Sequence, residues 1–218
     1  MEILEVMRQR HSVRQYEARP IEAEKRETLN ALAAQANEKA GLHIQIIYDE
    51  PKCFDSFMAH YGKFTGVANY IALVGPKGPK LEENLGYYGE ELVLKAQALG
   101  LNTCWVALTH GKSSAKVEKG EKLVCLISLG YGETQGAERK SKAVEELFTA
   151  TEPAPDWFRT GMEAAQLAPT AMNQQKFHIR LEDDGTVSAT AGSGFYTKLD
   201  LGIVKYHFEA VTGKQVRT

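Results

Sequence analysis

The sequence predicts an α+β fold built as two pseudo-symmetric halves, and three observations predict it. Segments that alternate apolar and polar, such as Leu42-His-Ile-Gln-Ile46, are interleaved with segments whose apolar residues recur at i, i+3, i+4 and i+7, such as Leu29, Leu32, Ala33 and Ala36. Motifs of the first part return, in the same order, in the last third of the chain. With 218 residues, 25% of them charged, and a net charge of −2, the composition is that of a globular protein long enough to bury a substantial core.

A short amphipathic helix (Ile3, Leu4, Val6, Met7) opens the chain and runs into Arg8-Gln-Arg-His-Ser-Val-Arg14. The apolar stripe through Leu29 and Ala36 predicts a helix over residues 22–37. Residues 42–46 read as a half-buried strand, and residues 67–74 as a buried one closed by Gly75-Pro-Lys-Gly-Pro79. A helix through residues 90–99 follows, with Gly100 as its C-cap, and then strands at 103–108 and 123–129. Residues 132–155, basic and then acidic and ending at Pro153 and Pro155, read as the connection between halves.

The duplication rests on four matches. Thr28-Leu-Asn-Ala-Leu-Ala-Ala-Gln35 has a counterpart in Thr160-Gly-Met-Glu-Ala-Ala-Gln166, and Leu42-His-Ile-Gln-Ile46 in Phe177-His-Ile-Arg-Leu181. The acidic turn Asp49-Glu50 answers to Asp183-Asp184, and Gly89 and Gly100 bracket a helix at the same spacing as Gly202 and Gly213. We therefore expect one domain over residues 1–218, with pseudo-halves 1–150 and 151–218. The copies differ most between first helix and strand, where the second carries Ala168-Pro-Thr-Ala-Met-Asn-Gln-Gln175.

The charge balance offers no global field for nucleic acid or an anionic membrane. No apolar run reaches the length of a membrane span, and the first residues lack the pattern of a signal peptide. Cys53, Cys104 and Cys125 are odd in number and form no C-x-x-C, which reads as reduced thiols in a cytoplasmic protein. The six histidines have no metal-ligand spacing, so no metal site is expected. Gly130-Tyr-Gly132-Glu-Thr-Gln135-Gly136 fails as a dinucleotide fingerprint, because Gln135 stands where the third glycine belongs.

Two constellations carry chemistry. Three guanidinium groups and the Ser12 hydroxyl within residues 8–14 suit a phosphorylated small molecule, since arginine matches phosphate bidentately. The same residues would equally serve as a solvated basic turn. Asn173, Gln174 and Gln175 offer amides that both donate and accept, suited to a heteroaromatic edge or to a self-satisfied turn.

Together these residues resemble the nitroreductase family of FMN-dependent oxidoreductases. The resemblance is carried by Arg10-His-Ser-Val-Arg14, by Ala168-Pro-Thr-Ala-Met-Asn173-Gln-Gln175, and by Gly100-Leu-Asn-Thr-Cys-Trp105. It continues in Gly130-Tyr-Gly132, Arg139-Lys-Ser-Lys142 and Glu145-Glu-Leu147, covering nearly the whole chain. It implies a nitroreductase-like fold: a mixed, mainly antiparallel sheet flanked by helices on both faces. It implies FMN as cofactor, NAD(P)H as co-substrate, and a small oxidised acceptor (nitroaromatic, quinone, enone or halogenated phenol) reduced by a ping-pong mechanism.

The resemblance also implies roles. Arg10 and Arg14, helped by Arg139 and Lys140, would neutralise the FMN phosphate, with His11 and Ser12 on phosphate or ribityl oxygens. Asn173, beside Pro169 and Thr170, would bond the isoalloxazine edge or ribityl chain, and backbone amides near Ala107 and Leu108 would face flavin N5. No acid–base pair or nucleophile stands out, as expected where the cofactor carries the chemistry. Tyr87, Tyr88 and Phe195 could line the acceptor pocket or serve in packing.

The chain departs from the family in order. The Asn-containing loop appears only in the C-terminal copy, whereas ordinary members, homodimers with the flavin at the interface, carry it after the first long helix. The expectation is a fused partner half, giving a monomeric pseudo-dimer with one complete flavin site, or else a homodimer. The loop at Ala107–Leu108 also lacks the family's glycine and glutamate, so a non-catalytic FMN-storing or FMN-sensing protein is the alternative, and a cofactor-free scaffold a third.

Overall fold

The computed structural model describes residues 2–151 and 153–218, and they fall into two units. The N-terminal unit comprises Gln9–Leu81 and Leu92–Glu138; the C-terminal unit comprises the residues up to Arg8, Glu82–Glu91 and Arg139–Thr218.

The N-terminal unit is built on a four-stranded antiparallel sheet of order β1-β2-β4-β3, formed by β1 (Gln45–Ile47), β2 (Asn69–Pro76), β3 (Asn102–Val106) and β4 (Glu121–Gly130). Every residue of β2 from Asn69 to Gly75 is buried, which its nearly unbroken apolar run anticipates. The sheet's core contains Val13, Tyr16, Phe54, Phe64, Tyr70, Cys104 and Leu126, with Phe54 edge-on to Phe64 at 5.3 Å. Helix α2 (Ala23–Ala40) buries Leu29, Ala33 and Ala36, the stripe expected from their spacing, and ends at Gly41 in the left-handed conformation. A five-residue helix, α3 (Phe57–Tyr61), is capped by the Ser56 hydroxyl, which accepts from the Ala59 amide.

The strand expected over residues 42–46 starts only at Gln45. The Asn37 side chain is the reason: its Oδ1 accepts from the Ile44 amide at 2.7 Å and its Nδ2 donates to the Ile44 carbonyl at 2.9 Å. Both ladder groups of Ile44 are thereby taken. Strands expected at 103–108 and 123–129 are β3 and β4, the first ending two residues earlier and the second starting two residues earlier than expected.

The C-terminal unit holds a second four-stranded sheet, of order β5-β6-β7-β8, from β5 (Phe148–Thr149), β6 (Phe177–Leu181), β7 (Val187–Ala191) and β8 (Val216–Arg217). β6 and β7 are antiparallel, while β5 and β8 join as parallel edge strands. Its helices are α1 (Ile3–Gln9) through Arg8, the first half of α4 (Leu81–Ala98), α5 (Asp156–Leu167) and α6 (Thr197–Thr212). Phe158 on α5 and Phe208 on α6 are fully buried, with ring centroids 5.7 Å apart.

Within this unit α4 and α6 cross through two facing glycines. A Cβ on Gly86 would overlap the Leu199 carbonyl, and one on Gly202 would overlap the Glu83 carbonyl. Helices that lack side chains at the crossing approach backbone to backbone. Beside the crossing, Glu90 and His207 are both fully buried: His207 Nε2 lies 2.9 Å from Glu90 Oε1, and its Nδ1 lies 2.9 Å from the Ala164 carbonyl. Lys205 adds an ion pair to Glu83 at 2.8 Å.

The helix expected through residues 90–99 is the second half of α4, whose start at Leu81 was hidden by Gly86 and Gly89. Gly100 follows the cap residue Leu99 with φ +76°. The connection over 132–155 holds a short 3₁₀ turn at Val144–Leu147 and then β5.

Candidate functional site

In the N-terminal unit, residues 12–17 form an extended segment stitched by backbone hydrogen bonds. Val13 N–H donates to the Thr103 carbonyl, Thr65 N–H to the Arg14 carbonyl, and Tyr16 N–H to the Thr65 carbonyl, each at 3.0 Å. Ser12 bridges Thr103 in parallel and Tyr16 bridges Gly132 in antiparallel fashion. Side chains alternate along such a segment. Val13 is buried in the core, so Ser12 and Arg14 share the outward side, and both are exposed. Tyr16 anchors the segment from within, its hydroxyl donating to the Val13 carbonyl and sharing a hydrogen bond with Ser128 Oγ, both at 2.8 Å.

Arg10, Ser12 and Arg14 all act on the buried Cys104 thiol. Burial pushes that thiol above its usual range, while the charges of Arg14 and Arg10 and a hydrogen bond from Ser12 pull the other way. Arg10 is 3% exposed, so one guanidinium lies beneath the surface and the other on it. The Arg14 guanidinium also sits 5.8 Å from the Phe64 ring centroid. His11, partly buried, packs closely against the 132–136 loop at Gly136, which has φ +78° and no room for a Cβ beside that of His11. Asn102 ties the same loop down, accepting from Gly132 N–H at 2.9 Å and donating to Gln135 at 3.1 Å. The glycines around position 130 thus serve to pack the loop on the arginine segment.

Ala107 and Leu108 follow β3 in a loop, Ala107 partly buried and Leu108 61% exposed. The chain beyond is fixed by the buried Tyr70, whose hydroxyl donates to Glu50 at 2.7 Å and accepts from the Ser114 amide at 3.1 Å. Gly111 N–H donates to the Cys53 carbonyl, and burial pushes the Cys53 thiol up to about 11.

In the C-terminal unit, the structure brings together Arg139, Lys140, Pro169, Thr170 and Asn173. Arg139 Nη2 donates to the carbonyls of Gln166 (3.0 Å) and Ala168 (2.8 Å), where α5 ends. Asn173 Nδ2 donates to the Lys140 carbonyl at 2.7 Å. Lys142 donates through its amide to Gln175 Oε1 and through its ammonium to the Gln175 carbonyl, at 2.9 and 3.1 Å. The basic stretch and the amide loop are one knitted structure. Pro169 is buried, and Thr170 Oγ1 accepts from the Gln175 amide at 3.0 Å.

The loop has an unusual backbone. Met172, Asn173 and Gln175 all have positive φ (51°, 54° and 45°), and Met172 is 95% exposed. Side-chained residues adopt this region at a cost, and clusters of them mark constrained loops. Asp200, in the first turn of α6, caps the loop: its carboxylate accepts from the Ala171 amide at 2.9 Å and from Gln174 Nε2 at 2.8 Å. Burial pushes the Asp200 carboxyl up to about 6, against the opposing pull of those two donors. Sequence reasoning missed Asp200, although a carboxylate inside Leu199-Asp200-Leu201-Gly-Ile203-Val204 is a signal that could have found it.

Tyr87, Tyr88 and Tyr206 form an edge-to-face cluster in this unit, with the Tyr87 hydroxyl on Glu209, while Phe195 is 55% exposed. A cleft of about 340 Å³ near β8 is lined by Glu209, Lys214 and Arg217 and includes none of the residues singled out from the sequence. Among the described residues no group of three or more His, Cys, Asp or Glu side chains could hold a metal ion, and no helix is long and apolar enough to cross a membrane.

Comparison with solved structures places this architecture among the nitroreductases. A nitroreductase from Thermotoga maritima superposes with a TM-score of 0.72 at 23% identity, covering 97% of this chain and 83% of its own. An NADH dehydrogenase/NAD(P)H nitroreductase from Bacteroides thetaiotaomicron gives a TM-score of 0.53 at 18% identity over 66% of this chain and 95% of its own. A protein of the same description from Parabacteroides distasonis gives 0.52 at 20% identity, with the same coverage. The mixed fold of helices and mainly antiparallel strands expected from the sequence is the nitroreductase fold. By sequence, the family model described as "Putative TM nitroreductase" matches residues 2–212, and the chain belongs to this nitroreductase family. No curated protein matches it by sequence.

Proposed function

We propose that the protein is an FMN-dependent oxidoreductase that passes hydride from NAD(P)H to a small oxidised acceptor such as a nitroaromatic, quinone or enone. The observation that carries the reading is the arginine segment of the N-terminal unit, a hydrogen-bonded extended chain that leaves Ser12 and Arg14 exposed close after Arg10. Two guanidinium groups and a hydroxyl, with His11 alongside, make the donor set that a phosphate monoester needs. FMN, when bound, would supply the hydride chemistry itself.

The chain's own residues would do the rest. Arg10 and Arg14 neutralise the phosphate, and Ser12 and His11 donate to its oxygens or to the ribityl chain. The backbone at Ala107 and Leu108 offers amide donors, held in place by the anchored chain that follows. In the C-terminal unit Asn173, with Pro169 and Thr170, would offer its amide oxygen, its Nδ2 being held by the Lys140 carbonyl, and Arg139 and Lys140 supply positive charge beside it.

The same reading takes the chain as one domain of two fused pseudo-halves with one FMN per chain, in the cytoplasm, as a monomeric pseudo-dimer or else a homodimer. Of the four matches behind the duplication, the glycine bracket does not hold, since Gly89 and Gly202 lie inside α4 and α6.

The visible spectrum of the purified protein, with flavin-to-chain stoichiometry, is the test. A yellow protein with one FMN per chain that bleaches under NADH or NADPH is expected. Bound flavin that no nicotinamide reduces would favour the storage or sensing role, and a colourless protein that FMN does not stabilise would sink both.

A further inference from the structure

Asp200 lies at one end of the Asn173 loop and is 2% exposed. It grips the loop on either side of its left-handed stretch, at the Ala171 amide and at Gln174, whose Nε2 also donates to the Phe195 carbonyl at 2.8 Å. Between those grips stand Met172 and Asn173, both side-chained and both with positive φ. Such a path does not hold itself, because each of these residues would relax to the right-handed or extended region if released. We infer that Asp200 is a positioning residue: by accepting from Ala171 and Gln174 it holds residues 171–175 in the path that presents Asn173. The consequence for flavin rests on the function proposed above; the clasp itself does not.

The charged groups around the clasp have other partners or face water. Lys176 donates its ammonium to the Ser193 carbonyl, Lys142 to the Gln175 carbonyl, and Lys198 and Lys140 are exposed. Burial is the dominant influence on Asp200, and it raises the carboxyl from an ordinary 3.8 to about 6. With the loop open, Asp200 would meet water and return to its ordinary range. The closed loop therefore binds the proton more tightly than the open one. Closure is strongest at low pH, weakens as pH rises through the window from about 4 to about 6, and stays at its weaker level above it. A simple reading in which the ionised carboxylate tightens the clasp has the opposite sign.

Hydrogen exchange of the Ala171 amide in the full-length, flavin-free protein tests this, comparing wild type with Asp200→Asn and Asp200→Ala. In wild type the opening constant should rise on the order of 50-fold between pH 4 and pH 8. Asp200→Asn should be flat, because its amide is neutral and Gln174 can turn to offer Oε1. Asp200→Ala should be open throughout. A flat wild type, or an Asn variant that follows pH as wild type does, would overturn the inference, and the Asn variant keeps it testable if the Ala variant does not fold. FMN titration by fluorescence quenching provides the functional arm. Wild type should lose affinity relative to Asp200→Asn as pH rises from 4 to 7, and an unchanged ratio would overturn the link to flavin. Absence of FMN binding in both proteins would refute the proposed function, while the exchange result alone would still decide the clasp.

Discussion

The arginine segment at residues 10–17 and the amide loop at residues 168–175 are both polar, and they are held by opposite means. In the first, backbone bonds to Thr103, Thr65 and Tyr131 fix the chain and leave Ser12 and Arg14 outward. In the second, side chains fix the backbone: Asp200, Thr170 and Gln175 hold a path with three left-handed residues. Substituting an outward side chain should therefore change chemistry with little change in shape in the first region. In the second it should change shape before chemistry.

The strongest way to break the comparison is to disturb the scaffold of the second region alone. Gly202→Ala, on the helix that carries Asp200, would push a methyl into the Glu83 carbonyl of α4. It should cost about 3 kcal/mol in urea unfolding, because neither backbone can give way. A cost below about 1 kcal/mol would show that the crossing is not tight.

Next comes Arg14→Ala. FMN affinity should fall roughly 30-fold in titration, the value of about 2 kcal/mol for a charged hydrogen bond, while the unfolding midpoint barely moves. A comparable loss of stability would place Arg14 among residues that hold the fold. Gln175→Ala should do the reverse. Its 2%-exposed side chain satisfies the Lys142 amide, so about 1.5 kcal/mol of stability should be lost through the unpaired donor.

The smallest effect has the opposite sign. Met172→Gly places glycine where φ is already 51° on a fully solvated side chain, and it should stabilise by up to about 1 kcal/mol. In the arginine segment no position from 10 to 17 has positive φ, so Arg14→Gly should destabilise slightly. Thermal melts of the two glycine variants, side by side, measure whether strain is confined to the loop.

Much of the fold was legible because the apolar pattern was local. β2 and β4 are runs that can only be buried, and the stripe through Leu29, Ala33 and Ala36 needs one face of a helix. The start of α4 was not legible, since Gly86 and Gly89 read as interruptions until the Leu199 carbonyl is seen against Gly86. The two-residue strands β5 and β8 carry no period at all. The arginine segment and the Asn173 loop stood out by residue type. How each is held did not, because Asp200, Asn102 and Tyr16 act across distances in sequence that no spacing rule spans.

The buried Cys104 thiol has one more consequence. A thiol held above its usual range beneath Arg10, Ser12 and Arg14 reacts slowly with alkylating reagents. Its modification rate therefore clocks how often residues 10–14 lift from β3. If Arg10 and Arg14 hold a phosphate as proposed above, a bound anion should slow that modification.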